Sequence, residues 1–347
     1  MLRFFHRNRF FHRNHLVPLL LALGLGVAWP AAPGFGADTF TPGSVFWAPG
    51  DCSGACEVFD VTGGGDLGSV AGFATVDRPP GQIAWSQDLG SAYISAYFQN
   101  RISKISATGA VSLFFSGITR PTGLLRTADN RLLAASFNDG AVYDISGGDE
   151  SPPETAFATG LGGARNLLQL ATGEILVADQ NLKRVIDITA GGSFGAETGF
   201  AYGIPGTGPL DLVQDASGRI YASSFSGVFD ITAGGDLSGD TAHATGFKFV
   251  GLTINGSGRM LASVLNSGAI YDVTDGGDVS SDLPFAFNLP GFADTALDAI
   301  PASAPPAVPA VPALSTWGGW SLTCLLLLAG ATLAGSKIAE SDRQILT

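Results

Sequence analysis

Carboxylates dominate the side chains of this chain that could do chemistry. Five aspartates, Asp60, Asp144, Asp187, Asp230 and Asp272, each close a short apolar run and stand two residues before a hydroxyl: VFDVT (58–62), VYDIS (142–146), VIDIT (185–189), VFDIT (228–232) and IYDVT (270–274). Residues two apart in a strand share a face, so each Asp and its hydroxyl point the same way, toward the glycine-rich turn that follows. There the pair can accept backbone N–H bonds and cap the turn. Five copies suit a repeated turn better than one active centre. The competing chemistry is calcium held by the turn carboxylates, including Asp66, Asp149, Asp236 and Asp278, although the spacing matches no specific calcium loop.

Other reactive groups are scarce. Of four histidines, His6, His12 and His15 lie in a basic leader, and only His243 remains. A multi-histidine metal site is thereby excluded, and the usual general base at neutral pH has one candidate, placed by its sequence on an outer strand and away from any central site. The chain has no serine nucleophile elbow, no phosphate-binding glycine loop and no metalloprotease helix. Cys52 and Cys56, in CSGAC, have no further metal ligands nearby. Export would permit a disulfide between them. Cys324 falls in a C-terminal apolar stretch.

Positioning these groups requires many short strands. Gly is abundant at 48 residues, charged residues make up only 14% and aromatics 10%, and residues 40–300 show no sustained 3.6-residue apolar period. The five Asp runs, with ISKIS (102–106) filling a gap in the series, are centred on 60, 104, 144, 187, 230 and 272, steps of 44, 40, 43, 43 and 42 residues. A period of about 40–45 residues with strand-like units matches a four-stranded propeller blade. A strand precedes each run, as in SVFWA (44–48), RLLAASF (131–137) and RIYASSF (219–225), and an outer strand follows it, as in GFATV (72–76) and HATGF (243–247).

The innermost strands read QIAWS (82–86), GLLR (123–126), NLLQL (166–170), DLVQD (211–215) and GLTIN (251–255), and the sixth, ALDAI (296–300), stands after the last blade. It is expected to return to the first blade beside SVFWA and close the ring, which removes the exposed edges of an open array. The fold class is therefore all-β, a six-bladed propeller of four-stranded blades over residues 38–300. Its repeat pattern resembles the NHL and gluconolactonase-like propellers.

In such a fold the innermost strands begin at one mouth of the central channel. The corresponding column reads Gln82, Gly123, Asn166, Asp211, Gly251 and Ala296, so Gln82, Asn166 and Asp211 are the candidate ligand-binding residues, with Arg165 and Asp179 in reach. The gluconolactonase-like resemblance implies that Asn166 and Asp211 hold calcium or another divalent metal that polarises a lactone carbonyl. Four of the six are Gly, Ala or Gln, and a solvated channel lining is the favoured account.

The two ends of the chain are addresses. Residues 1–37 join a basic segment, an apolar run (16–29) and small residues, the pattern of a secretory signal peptide. Without its Arg3, Arg7, Arg9 and Arg13 the formal charge of −12 becomes −16, a surface that repels phosphate backbones and argues against nucleic acid as a partner. Residues 301–313 form a Pro/Ala linker. Residues 314–347 hold an apolar stretch, Trp317 to about Ser336, long enough for a transmembrane helix, and a short polar tail. VPALSTWG (311–318) resembles the IPTL-CTERM class of bacterial sorting signals, matching it at Pro312, Leu314, Ser315, Trp317 and Gly318. That resemblance implies sorting machinery as a partner and the envelope or surface of a Gram-negative bacterium as the address, with membrane anchoring at least for a time.

The expectation that follows is an exported, surface-anchored, non-catalytic binding module for a polysaccharide, matrix or protein ligand. The alternative is a metal-dependent gluconolactonase-like hydrolase or lyase working at the channel mouth.

Overall fold

The computed structural model describes residues 40–50, 52, 55–77, 80–148, 155–195, 198–289 and 296–301. The signal peptide, Asp149, most of the Pro/Ala linker and the C-terminal segment with its motif residues and Cys324 lie outside the described residues. No helix occurs among the described residues, and none is therefore long and apolar enough to cross a membrane.

Six antiparallel sheets form the blades of a propeller. From the centre outward, blade 1 runs Ala296–Ala299, Val45–Ala48, Cys56–Asp60 and Ala74–Val76. Blade 2 runs Pro80–Trp85, Ser91–Ala96, Arg101–Ser106 and Val111–Ser116, and blade 3 runs Pro121–Arg126, Leu132–Ser136, Ala141–Asp144 and Ala158–Thr159. Blade 4 is Ala164–Gln169, Ile175–Asp179, Arg184–Asp187 and Ala201–Tyr202, and blade 5 is Leu212–Gln214, Ile220–Ser224, Gly227–Asp230 and Ala244–Thr245. Blade 6 is Phe249–Ile254, Met260–Val264, Ile270–Asp272 and Ala286–Phe287.

Second strands are apolar on both faces because each blade packs against a neighbour on either side. Leu133 and Ala135 face the cluster shared with blade 4, while Leu132 and Ala134 face the one shared with blade 2. Burial on both sides is what makes RLLAASF read as a continuous apolar run.

The C-terminal strand does close the ring. Ala296–Ala299 pairs antiparallel with Val45–Ala48, with Leu297 opposite Trp47. A second seal lies at the outer edge of the same seam, where Ala286 and Phe287 of blade 6 pair in parallel with Gly65 and Asp66 of blade 1. Equivalent parallel bridges join Ala158 to Gly192, Ala201 to Gly235 and Ala244 to Gly277. The glycine pair after four of the five Asp runs is thus more than a turn. At Gly234 φ is +64° and a Cβ would stand 2.6 Å from the Phe200 carbonyl oxygen, the oxygen that accepts the Gly235 N–H at 2.9 Å. Only glycine allows the neighbouring blade to come that close.

Outer strands are shorter than the sequence pattern suggests, two residues in blades 3 to 6. Beyond these bridges the outer segment is held by turns. Inner strands in blades 2, 4 and 6 begin two residues before the expected start and carry a register shift, between Pro80 and Ile83, Ala164 and Leu167, and Phe249 and Leu252. A bulge of this kind re-aims side chains at the channel.

Candidate functional site

The channel is built by the six inner strands, which contact one another in blade order around the ring. Three of its polar groups reach across to the next blade. Asp298 Oδ2 accepts the Ile83 N–H at 2.8 Å, Gln82 Oε1 accepts the Leu124 N–H at 2.9 Å, and Asp211 Oδ2 accepts the Leu252 N–H at 2.8 Å. Asp211 Oδ1 also accepts the N–H of Leu212. Hydroxyls add a second set of links: Thr122 donates to the Ala164 carbonyl and Ser95 to that of Thr122.

Of the three residues the sequence singled out, Gln82 and Asp211 are such clasps, and Asn166 sits at the blade 4 bulge. Asn166 and Asp211 are buried, at 5% and 8% exposure, instead of forming a solvated lining. Asn166 Oδ1 is buried without a hydrogen-bond partner. Gly123 stands where it does because the neighbouring backbone is close: a Cβ on it would run into Arg165 and Asn166 backbone atoms.

A cavity of about 220 Å³ is lined from every inner strand, by Ala84, Leu125, Leu168, Val213, Thr253 and Asp298 among others, with Gln82 and Asp211 also on its wall. Asp298 and Asp211 are its two acids. Burial pushes the Asp298 carboxyl up to about 7, against the hydrogen bonds from Ile83 and Gln82. Burial, then the charge of Asp298, hold Asp211 well above the usual carboxylate range despite its two amide donors. The two acids thus form a pair that favours keeping a proton in a low-dielectric site. Sequence reading missed Asp298. The signal was available in ALDAI, where alternation turns Leu297 into the blade and Asp298 toward the channel.

Asp179 and Arg165, expected near the mouth, belong to separate structures. Asp179, fully buried, accepts the N–H groups of Gly162 and Gly163 and pairs with Arg184 at 2.9 Å. Arg165 lies over the Phe137 ring, 5.0 Å from its centroid, and its Nε donates to Gln180. The rim where the inner strands begin repeats this arrangement: Arg120 lies over Tyr97 at 5.2 Å and Lys248 over Phe225 at 5.7 Å. In each case the aromatic ends the second strand of one blade, and the cation comes from the segment entering the inner strand of a following blade.

The opposite rim carries the repeated aspartates, and they cap turns. Asp60, Asp144, Asp187, Asp230 and Asp272 each accept from the backbone N–H and the hydroxyl two residues on. That hydroxyl oxygen in turn accepts a backbone N–H from the second strand, as Thr232 does from Ile220. Asp66, Asp236 and Asp278 accept the N–H groups of Gly68, Ser238 and Ser280. These turn bonds hold all three carboxyls below the usual range. Among the described residues no three His, Cys, Asp or Glu side chains gather as a metal cage.

Cys52 and Cys56 are joined as a disulfide, with Cα atoms 5.5 Å apart. His243 is far from the channel: its Nε2 meets the Val273 carbonyl at 3.0 Å and its ring packs on Tyr221.

No family model and no curated protein matches the chain. Among solved structures, the PQQ-bound aldose sugar dehydrogenase of Streptomyces coelicolor is 14% identical with a TM-score of 0.50, over 64% of this chain and 86% of that one. A protein provisionally named a gluconolactonase is 16% identical with a TM-score of 0.44, over 62% and 79%. Virginiamycin B lyase of Staphylococcus aureus is 16% identical with a TM-score of 0.40, and the match spans 56% of this chain and just under two thirds, 66%, of the lyase. Likeness at this identity concerns the propeller fold, which hosts unrelated functions.

Proposed function

We propose that this protein is an exported, surface-anchored and non-catalytic binding module whose working face is the rim where the inner strands begin. The observation that supports it is the use made of the channel's polar groups. Gln82, Asp211 and Asp298 hold adjacent blades together through backbone N–H groups, and the two acids favour their protonated forms. Side chains tied down in this way stiffen a scaffold. The aromatic and cationic side chains of the rim lie outside the channel and line its mouth.

One observation favours a second reading, a metal-dependent hydrolase or lyase: Asn166 Oδ1 is a buried acceptor with no partner. Asn166 and Asp211 would hold a divalent ion, with Asp298 as a further carboxylate. Such an ion would supply Lewis-acid polarisation of a carbonyl. Metal binding there must strip protons from the acid pair, because only ionised carboxylates are good ligands.

Calorimetric titration of the chelator-treated protein with calcium, magnesium, manganese and zinc, in two buffers of different ionisation enthalpy, separates the readings. The binding-module reading expects no tight site. A tight site with proton release that disappears in Asp211→Ala, together with turnover of a lactone, would replace it with the hydrolase reading.

A further inference from the structure

Within the binding-module reading, on which this inference rests, the working rim has its own chemistry. Across blades 2 to 4 its side chains form a continuous ladder. Phe98 is 65% exposed and packs edge-on against Tyr97, with centroids 5.1 Å apart. Tyr97 faces Phe137 at 6.2 Å. Arg120 lies on Tyr97, and its Nη1 donates to the Tyr97 hydroxyl and to Asn138. Arg165 lies on Phe137 and is steadied by Gln180. Stacking on a ring and bonding to neutral partners leave the guanidinium charge of Arg120 uncompensated: among the described residues it bonds to no carboxylate. In a chain of net charge −12, such a placement is selective.

We infer that this ladder binds an acidic oligosaccharide, one carrying a carboxylate on each pyranose ring, with a sugar face laid on the exposed Phe98 and a carboxylate met by Arg120 on its Tyr97 platform. Three features favour this ligand. The exposed Phe98 ring suits the apolar face of a pyranose, and a planar guanidinium suits a carboxylate through paired N–H donors. Cations already stacked on aromatic rings lose little side-chain freedom on binding. The acidic body of the protein, with its Asp-rich opposite rim, repels polyanions of dense charge more than a chain whose charges are one sugar apart.

The third stacked cation, Lys248 on Phe225, stands on blades 5 and 6 outside the ladder and serves as the control for charge alone. The test is binding of the purified full chain to a uronate hexasaccharide, the matched neutral hexasaccharide, a poly-glutamate peptide and a single-stranded oligonucleotide. We expect the uronate alone to bind well. Arg120→Gln and Tyr97→Ala should each weaken it tenfold or more, and Lys248→Ala less than twofold. The Arg120 side chain also ties Tyr97 to Asn138, so Phe98→Ser, which removes an exposed ring with no such duty, should weaken binding at least threefold at an unchanged melting temperature. Equal binding of the neutral sugar, the peptide or the oligonucleotide, equal losses in Arg120→Gln and Lys248→Ala, or no effect of Phe98→Ser would each overturn the assignment. Any of those results leaves the binding-module reading in place. That reading falls instead with a metal site and turnover.

Discussion

The two rims of the propeller are made by the same repeat and treat it differently. At the rim where third strands end, nearly every blade uses one device, an Asp two residues before a hydroxyl and then a glycine turn. Asp60, Asp144, Asp187, Asp230 and Asp272 make the same bonds. At the rim where inner strands begin, the blades are of several kinds: three place an aromatic under a cation from the next blade, and the others do not. Blade 1 has a disulfide loop, blade 2 Tyr97 and Phe98, blade 3 Phe137, blade 4 a buried ion pair and blade 5 Phe225. A feature copied around a ring answers a need that every blade has, such as closing a turn and meeting its neighbour. A feature found once answers a need of the whole molecule. Repetition marks the scaffold here, and departure from it singles out the rim proposed to bind.

The sharpest way to break this contrast is to remove an individual feature and compare it with a copied one. Asp179 and Arg184 are buried together, and Asp179 also anchors the backbone of Gly162 and Gly163. Removing one partner leaves an uncompensated buried charge, at a cost of about 3–5 kcal/mol. Asp179→Ala should therefore give the largest loss in urea-unfolding free energy, and Asp179→Leu with Arg184→Met should recover a substantial part. A loss below about 1 kcal/mol in Asp179→Ala would show that this rim tolerates change as readily as the other.

How much of this was legible in the sequence follows the same division. The sixfold spacing of VFDVT and its relatives, and the displaced strand ALDAI, specified the blade count and the closure because both are repeated or conspicuous by displacement. The Asp–hydroxyl caps were readable for the same reason. The bridges between outer strands and glycine pairs were not, since Ala201 and Gly235 meet only once blades are side by side. Asp298 was hidden by its place in the last strand, far in sequence from Asp211 and Ile83. The cation–aromatic ladder was also hidden: Tyr97 and Arg120 are neighbours only through the entry of one blade into the next.

The channel and the Asp rim should also respond oppositely to pH. A carboxyl whose folded pKa exceeds its unfolded one binds more protons folded than unfolded between the two values, so stability falls as pH rises through that window. For Asp298 the window runs from 3.8 to about 7, and Asp211 is shifted in the same direction. The fall is at most about 1.4 kcal/mol per pH unit for each group, and less for Asp298, which keeps some exposure to the cavity. The turn acids Asp66, Asp236 and Asp278 have lowered values, so their contribution is present at neutral pH and is lost only in stronger acid. Unfolding free energy measured from pH 4.5 to 7.5 should decline, and Asp298→Asn should flatten the decline. A curve that rises over this range would remove the protonated pair from the channel.

The smallest expected effect tests the claim that the copied rim is scaffold divided into equal parts. Asp230→Ala removes the acceptor for the Thr232 N–H and hydroxyl, but both donors are exposed and can turn to water. The loss is therefore about 1 kcal/mol, the net worth of an ordinary hydrogen bond. Asp187→Ala should cost the same, since it makes the same two bonds in the preceding blade. The two changes share no partner, so the double variant should lose the sum to within about 0.5 kcal/mol. Neither should alter ligand binding at the opposite rim. Strong non-additivity would mean that the outer bridges couple the turns from blade to blade. The Asp rim would then act cooperatively over those blades, because four of the glycine pairs hang from the outer strand of the blade before them.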